Sequence, residues 1–157
     1  MGGIPGTGKT KVGDYFSTKL KYTHLDFDRC NVSHWPSVFC KVVIRCLPLL
    51  GPNIIVTWGF QPTNNDIVAV NLFKKIGFQI IWFDGNREQA RKEFVRREKE
   101  AHTPRSEEAL VKLFDEKIKK IDSENVVTRI IPIEYNTFTD AGKFKDLNQI
   151  VEEILCL

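Results

Sequence analysis

A glycine-rich stretch near the amino end constrains this chain more than any other feature. Residues 3–10 have the sequence GIPGTGKT, which fits the spacing G-x-x-x-x-G-K-[ST]. Glycines allow such a loop to turn its backbone N–H groups inward, and a following helix adds the positive end of its dipole. The stretch therefore predicts a loop that wraps around the phosphates of a nucleotide. The alternative is a plain glycine-rich turn.

The end of this stretch predicts the contacts to a nucleotide and its metal. Lys9 is expected to reach the β and γ phosphates. The hydroxyl of Thr10 is expected to hold Mg²⁺, which prefers hard oxygen ligands. The predicted nucleotide-binding residues are Gly3, Pro5, Gly6, Thr7, Gly8, Lys9 and Thr10.

Length and composition indicate one ordinary globular domain. The 157 residues, 42% hydrophobic and 27% charged, suit a single domain over residues 1–157. No apolar run approaches the length of a membrane helix and no signal or transit peptide is visible, so we expect a cytoplasmic protein without a membrane partner. The net charge of +3 comes from basic residues interleaved with acids, which does not favour nucleic acid as a partner. The sequence does not indicate an oligomeric state.

Alternating strands and helices predict an α/β fold with a mostly parallel sheet. The apolar spacing predicts helices over residues 12–20, 33–50, 67–76, 87–99, 106–120 and 147–155 and strands over residues 22–27, 53–58, 78–83 and 126–133. Ser33 is expected to cap the second helix. Only Met1 and Gly2 precede the glycine-rich loop, so the first strand, from which such a loop normally hangs, is expected to be missing.

Two carboxylates lie at the end of the strand predicted over residues 22–27. Asp26 and Asp28 lie at the side on which open α/β sheets bind ligands. We predict that one of these carboxylates acts near Mg²⁺ or an attacking hydroxyl, and that the other hydrogen-bonds a polar substrate. Residues 54–60 contain no acid that would serve as a second metal ligand, which makes Asp26 more important. The alternative is that both acids only cap the next helix.

A charged helix predicts positive charge for a transferring phosphoryl group. Arg96 and Arg97 run into a predicted mobile lid over residues 96–106. The alternative is a solvated helix face, because two acid–base pairs have the favourable i,i+4 order: Glu88 with Lys92 and Glu93 with Arg97.

Trp58 and Gly59, at the end of another predicted strand, are a candidate substrate wall. Gly59 lets a ligand approach the backbone, and Trp58 offers a face for stacking. Ordinary core packing is the alternative interpretation of both residues.

Taken together, the chain resembles the small P-loop kinases of metabolites, a group that includes shikimate, gluconate and nucleoside monophosphate kinases. The resemblance rests on residues 3–10 as a Walker A motif, on Leu25-Asp26-Phe27-Asp28 where shikimate-type kinases carry Asp-x-Asp, and on Arg96-Arg97 at the start of a lid. It implies a three-layer α/β/α P-loop NTPase fold with a parallel sheet of order 2-3-1-4-5. It also implies ATP with Mg²⁺. Asp26 would correspond to the acid near metal and acceptor, Asp28 to the substrate-binding acid and Arg97 to the lid arginine.

The first functional hypothesis is therefore ATP-dependent phosphoryl transfer to a small hydroxylated metabolite. The partners would be a nucleotide and a small-molecule substrate. The predicted catalytic residues are Lys9, Asp26 and Arg97, and the predicted substrate residues are Asp28, Trp58, Gly59 and Arg96. The alternative hypothesis is a P-loop module that binds or slowly hydrolyses nucleotide as a switch or partner-binding domain, without a small acceptor.

Overall fold

Short parallel strands alternate with helices throughout the described chain. The computed structural model describes residues 1–29, 36–60 and 63–157, with only the backbone described for residues 36–39. Its elements are, in order, β1 (Gly2–Gly3), α1 (Lys9–Leu20), β2 (Thr23–Asp26), α2 (Pro36–Leu50), β3 (Ile54–Thr57), α3 (Asn64–Lys75), β4 (Ile81–Asp84), α4 (Arg87–Glu100), α5 (Glu107–Ser123), α6 (Val126–Ile130), β5 (Ile133–Asn136) and α7 (Leu147–Leu155).

The strands pair in parallel, in two groups. β2 pairs with β3, and β4 pairs with β1 on one side and β5 on the other. The backbone of Met1 connects the groups, because its amino group donates to the carbonyl oxygen of Val56 and its carbonyl oxygen accepts from the N–H of Trp58 at 3.1 Å. The spatial order of the strands is therefore β2-β3-β1-β4-β5, the order that the resemblance implied.

Helices cover both faces of this sheet. Consecutive residues of β4 alternate between the faces: Ile81 and Phe83 belong to one apolar cluster, and Trp82 belongs to the other. Helices α1 and α7 contribute to the first cluster with Val12, Phe16, Ile150, Val151 and Ile154. The other helices contribute to the second cluster with residues that include Val43, Phe73, Phe94, Phe114 and Val126. A strand that is apolar on both faces is typical of the centre of a three-layer α/β/α structure. The predicted fold class is confirmed.

Two predictions for individual elements need correction. Residues 126–130 form the short helix α6, where Val126 and Ile130 lie four residues apart on one side and are both at most 1% exposed, and the last strand, β5, begins only at Ile133. The β-branched run favoured a strand, but burial of this pair outweighs that preference. The first strand, expected to be missing, is present as the two residues of β1. The predicted cap Ser33 lies outside the described residues. None of the described helices is long and apolar enough to cross a membrane.

Phe114 tests whether the cluster beneath α4 and α5 carries the stability of the fold. Its side chain is 2% exposed, and its ring centroid lies 5.8 Å from that of Phe94. We expect Phe114→Ala to lower the free energy of unfolding by about 3–5 kcal/mol, because the cavity removes packing as well as apolar burial. The control, Leu49→Ala, changes a side chain that is 87% exposed and should change stability by no more than ~0.5 kcal/mol. Urea unfolding measures both; equal losses would contradict this assignment of the core.

Candidate functional site

The glycine-rich loop joins β1 to α1 and satisfies its own buried polar groups. The hydroxyl of Thr7 donates to the carbonyl oxygen of Ile4 at 2.8 Å. The Lys9 ammonium donates to the same oxygen at 2.7 Å and to the carbonyl oxygen of Gly3 at 3.2 Å. Thr7 and Lys9 are both buried, and Pro5 is half-buried in the turn between them and β1. The loop is thus a defined structure held by its own side chains.

The first turn of α1 offers its backbone N–H groups to an anion. Gly8 occupies the N-cap without a side-chain hydrogen bond, and the turn contains no acidic residue. The positive end of the helix dipole therefore lies at the loop without a local carboxylate to neutralise it. Gly6 sets the path of the loop, because its φ is +80° and a Cβ there would lie 2.0 Å from the backbone oxygen of Ala90. Only glycine suits this position.

Lys9 carries a strongly shifted pKa. Burial lowers the pKa of its ammonium to about 8, with the positive charges of Arg97 and Lys117 adding to the effect and Asp28 and Asp26 opposing it. The four charges that act on Lys9 come from β2 and the segment after it, from α4 and from α5. The charge state of Lys9 therefore depends on the acids at the end of β2 and on cations from two helices, α4 and α5.

Asp26 ends β2 and faces the start of α1. Its Oδ2 accepts a hydrogen bond from the hydroxyl of Thr10 at 2.9 Å, and its Oδ1 accepts from the N–H of Asp28 at 3.0 Å. The side chain is about 5% exposed, and the guanidinium of Arg29 lies 3.6 Å away. The structure thus brings the two predicted metal ligands together. The other carboxylate oxygen holds the turn that follows β2, well before α2 begins at Pro36, so this contact is not the cap of the next helix that was the alternative.

A Mg²⁺ ion fits the chemistry of this pair. Such an ion is commonly held by one or two protein oxygens together with substrate phosphates. The Thr10 hydroxyl and the Asp26 carboxylate are two such oxygens at the edge of the glycine-rich loop. The described residues contain no cluster of three or more ligating acids, histidines or cysteines. A metal here would therefore take its remaining ligands from phosphate oxygens and water.

Asp28 and Gly59 form a second contact at the same sheet edge. The backbone N–H of Gly59 donates to Oδ1 of Asp28 at 3.0 Å, and a Cβ on Gly59 would lie 2.5 Å from Oδ2 of that carboxylate. Trp58, the other half of the predicted wall, is only 7% exposed, and its ring contacts those of Phe27 and Phe60. The structure therefore places Gly59 beside Asp28 and places the Trp58 ring in core packing, which was the alternative interpretation.

The two predicted arginines of α4 have different surroundings. Arg96 is exposed and ion-paired with Glu93 and Glu100, as in the self-paired helix face that was the alternative. Arg97 pairs with Glu98, and its guanidinium lies 5.7 Å from the centroid of the Phe94 ring. Only Arg97 is among the charges that act on Lys9. The predicted lid over residues 96–106 consists of the last turn of α4 and the connection to α5, and its mobility stays a prediction.

Lys117 was not among the predicted site residues. This residue of α5 lies 5.9 Å from the same Phe94 ring, on which Arg97 also packs, and its charge acts on Lys9. Nothing in the sequence distinguishes it from the neighbouring lysines of α5, because its position depends on how α5 packs against α4. It adds a second cation to the side of the site that Arg97 occupies.

A polar network behind Asp26, in which the His24 side chain is buried and those of Asp14 and Arg29 are partly exposed, was also missed. The ring nitrogens of His24, whose side chain is 5% exposed, contact the Asp14 carboxylate at 3.0 Å and the Thr57 hydroxyl at 2.8 Å. Arg29 donates to both oxygens of Asp14, at 3.1 and 2.9 Å. Burial raises the pKa of Asp14, but hydrogen bonds from Arg29 and His24 outweigh burial and hold that pKa below its usual value. The network holds Arg29 near Asp26. The only hint of this network in the sequence was that Arg29 directly follows the Asp-x-Asp residues.

Comparison with solved structures gives the same fold. The chain is similar to the crystal structure of shikimate kinase from Bacteroides thetaiotaomicron, with a TM-score of 0.64 and 15% sequence identity over 99% of this chain and 96% of that chain. No family model matches the sequence, and no curated protein matches it. At this identity the similarity shows a P-loop kinase-like fold.

Gly6 tests the geometry of the loop against a glycine of matched backbone conformation. Gly51 has a φ of +81° with no atom near its Cβ position, whereas Gly6 has a φ of +80° and the close contact with Ala90. We expect Gly51→Ala to cost about 1–2 kcal/mol of unfolding free energy through left-handed backbone strain alone. Gly6→Ala should cost at least ~1 kcal/mol more, because its Cβ also overlaps a backbone atom. Urea unfolding compares the two, and equal losses would show that the loop relaxes away from α4.

Proposed function

We propose that this protein transfers the γ-phosphoryl group of ATP, bound with Mg²⁺, to a small hydroxylated acceptor. The observation that carries the proposal is the hydrogen bond between Thr10 and Asp26, beside the buried Lys9 at the end of the Walker A loop. A kinase-like fold is consistent with this chemistry, although the fold alone does not specify it.

The residues of the loop would bind and orient the phosphates. Backbone N–H groups of the first turn of α1 and the ammonium of Lys9 would hold the β and γ phosphates. The pKa of Lys9, about 8, leaves most of this group protonated at neutral pH, and bound phosphate would raise that pKa further. Bound Mg²⁺ would neutralise charge on the phosphate oxygens. Thr10 and Asp26 are the residues that would hold it.

The strand-end acids would act on the acceptor. The acceptor hydroxyl gives its proton to the Asp26 carboxylate, its oxygen forms a bond to the γ phosphorus, and the bond from that phosphorus to the bridging oxygen breaks to release ADP. Asp28 is exposed while one of its oxygens is fixed by Gly59, which suits a hydrogen bond to a second polar group of the acceptor. Arg97 and Lys117 supply positive charge for the transferring group. Arg96 and Trp58 have no part in this proposal.

One observation favours the alternative, a nucleotide-binding module without a small acceptor. Asp28 is exposed and the Trp58 ring is packed in the core, so these two residues do not line a shared acceptor pocket. The large apolar cavity that Trp58 does line, about 780 Å³, includes none of Lys9, Thr10, Asp26 and Asp28 among its walls. Residues 30–35 and 61–62 lie outside the described residues.

A screen for acceptor-dependent release of ADP distinguishes these functions. Purified protein is incubated with MgATP and, separately, with hydroxylated metabolites, sugars, sugar acids and nucleosides. A kinase releases ADP faster with one acceptor class and yields its phosphate ester, which mass spectrometry identifies. Binding of MgATP with a slow, acceptor-independent release of ADP would support the module instead.

Lys9 is predicted to be essential for nucleotide binding. Lys9→Ala should remove the rise in melting temperature that MgATP gives, because the ammonium that contacts the phosphates is lost. The control is Lys19→Ala, which removes an exposed lysine from the last turn of the same helix and should retain the full rise. Differential scanning fluorimetry with and without MgATP measures the shift, and far-UV circular dichroism checks the fold. An unchanged shift in the Lys9 variant would defeat the prediction.

Asp26 is predicted to act on the transfer step. Asp26→Asn keeps the size of the side chain but removes its proton-accepting charge, so the rate of phosphoryl transfer should fall by about 10²-fold or more. The dissociation constant for MgATP should change far less, because Lys9 and the loop remain. Single-turnover kinetics gives the rate and calorimetric titration gives the affinity. Equal losses in both would show that Asp26 serves nucleotide binding rather than transfer.

A further inference from the structure

One arginine faces two carboxylates at the edge of the candidate site. Both terminal nitrogens of the Arg29 guanidinium donate to Asp14, at 3.1 and 2.9 Å. Its Nε lies 3.6 Å from Oδ2 of Asp26, which is longer than a hydrogen bond. The guanidinium is therefore bonded to Asp14 and lies beside Asp26 without bonding to it.

The oxygen of Asp26 that faces the guanidinium is also the one that contacts Thr10. Oδ2 accepts from the Thr10 hydroxyl at 2.9 Å, whereas Oδ1 faces the backbone N–H groups of Asp28 at 3.0 Å and Arg29 at 3.5 Å. A carboxylate oxygen has two lone pairs, so Oδ2 keeps an acceptor position beyond the Thr10 contact. A guanidinium bonded to Oδ2 would occupy that position, and its charge would repel a divalent cation.

A second contact fixes Asp14 independently of Arg29. Oδ1 of Asp14 lies 3.0 Å from Nδ1 of His24, and Nε2 of His24 lies 2.8 Å from the Thr57 hydroxyl. The His24 ring packs against α1 at Gly13, where a Cβ would lie 2.3 Å from Nε2. Asp14 is thus tied to β2 and β3 through a buried ring, and it is a fixed partner for the more exposed Arg29.

We propose that Asp14 sets the Mg²⁺ affinity of the Thr10–Asp26 pair by keeping the Arg29 guanidinium off Oδ2 of Asp26. Asp14 is then a positioning residue, because it acts through Arg29. Arg29 still lies close enough to compensate the charge of Asp26, whose side chain is 5% exposed, before a metal binds. The inference rests on the proposed function, since the metal and its two protein ligands are the ones named there.

The contribution of the metal is measurable without phosphoryl transfer. Calorimetric titration gives the affinity for the non-hydrolysable analogue AMP-PNP in saturating MgCl₂ and again in EDTA. The first affinity divided by the second, which we call the magnesium ratio, isolates the metal, because a loss of phosphate binding alone lowers both affinities equally. Binding of Mg²⁺ to the free analogue is the same for every variant, so it cancels when variants are compared.

Asp14→Asn tests the proposal directly. The neutral amide no longer pairs with the guanidinium, so Arg29 turns to Asp26 and the magnesium ratio should fall about tenfold, as is common when a group behind a metal ligand is removed. Far-UV circular dichroism checks the fold of this variant. An unchanged magnesium ratio would overturn the proposal.

Another arginine of the chain provides a matched control. Arg87 donates to both oxygens of Asp122, at 2.7 and 3.0 Å, and lies 3.6 Å from Asp84 at the end of β4. Asp122→Asn therefore removes the same charge from the same kind of pair, beside an acid that is not a proposed metal ligand. It should leave the magnesium ratio unchanged. An equal fall in both variants would overturn the proposal, because the effect would then be one of overall charge.

Variants of Arg29 separate this role of Asp14 from support of the local structure. Arg29→Gln should leave the magnesium ratio at or above the wild-type value. In that background Asp14→Asn should change the ratio by at most about threefold, because no guanidinium is left to hold. Arg29→Lys keeps the charge but loses the two-pronged contact, so it should lower the ratio as Asp14→Asn does.

The outcomes distinguish this inference from the proposed function. A lower magnesium ratio in Arg29→Gln, or an undiminished effect of Asp14→Asn in that background, would overturn this inference alone, because the pair would then only support the structure around Asp26. The expected ratios in a protein that transfers no phosphoryl group would support this inference and contradict the kinase function. Wild-type binding of AMP-PNP that is indifferent to Mg²⁺ would overturn both.

Discussion

The candidate site depends on a short backbone ladder at the amino end of the chain. Met1 bonds to β3, and Gly2 and Gly3 pair with β4, so three residues hold the two halves of the sheet together. The glycine-rich loop continues directly from this ladder into α1. The position of Lys9 relative to Asp26 depends on this ladder, on the packing of Val12 and Phe16 against the sheet, and on the hydrogen bond between Thr10 and Asp26.

The carboxyl edge of the sheet gathers the polar chemistry because all its strands are parallel. β2 ends in Asp26 and β3 leads into Gly59, so Thr10, Asp26 and Asp28 meet at one edge although they come from separate elements. Behind them, the contacts among His24, Asp14 and Arg29 restrict the surroundings of Asp26. A carboxylate fixed in this way has little freedom left to lose on binding a ligand, which favours a preorganised site.

Much of this arrangement could be predicted. The spacing of residues 3–10 predicted the loop and its helix, and the Asp-x-Asp sequence predicted acids at a strand end, because both patterns are local and have direct conformational consequences. The prediction for residues 126–133 was wrong, since strand preference is weak against the burial of Val126 and Ile130 on one side of a helix. Lys117 and His24 carried no signal, because their importance depends on contacts between distant elements.

The sequence by itself determined the glycine-rich loop before a helix, the α/β pattern and the presence of acids at a strand end, since each is encoded by spacing along a single segment. Only the tertiary structure decided which side chains share a site. It separated Arg97 from Arg96, placed the Trp58 ring in the core and joined β1 to β3 through the backbone of Met1. The physical reason is that burial, ion pairing and strand pairing depend on groups far apart in the chain, and their geometry exists only after the layers have packed.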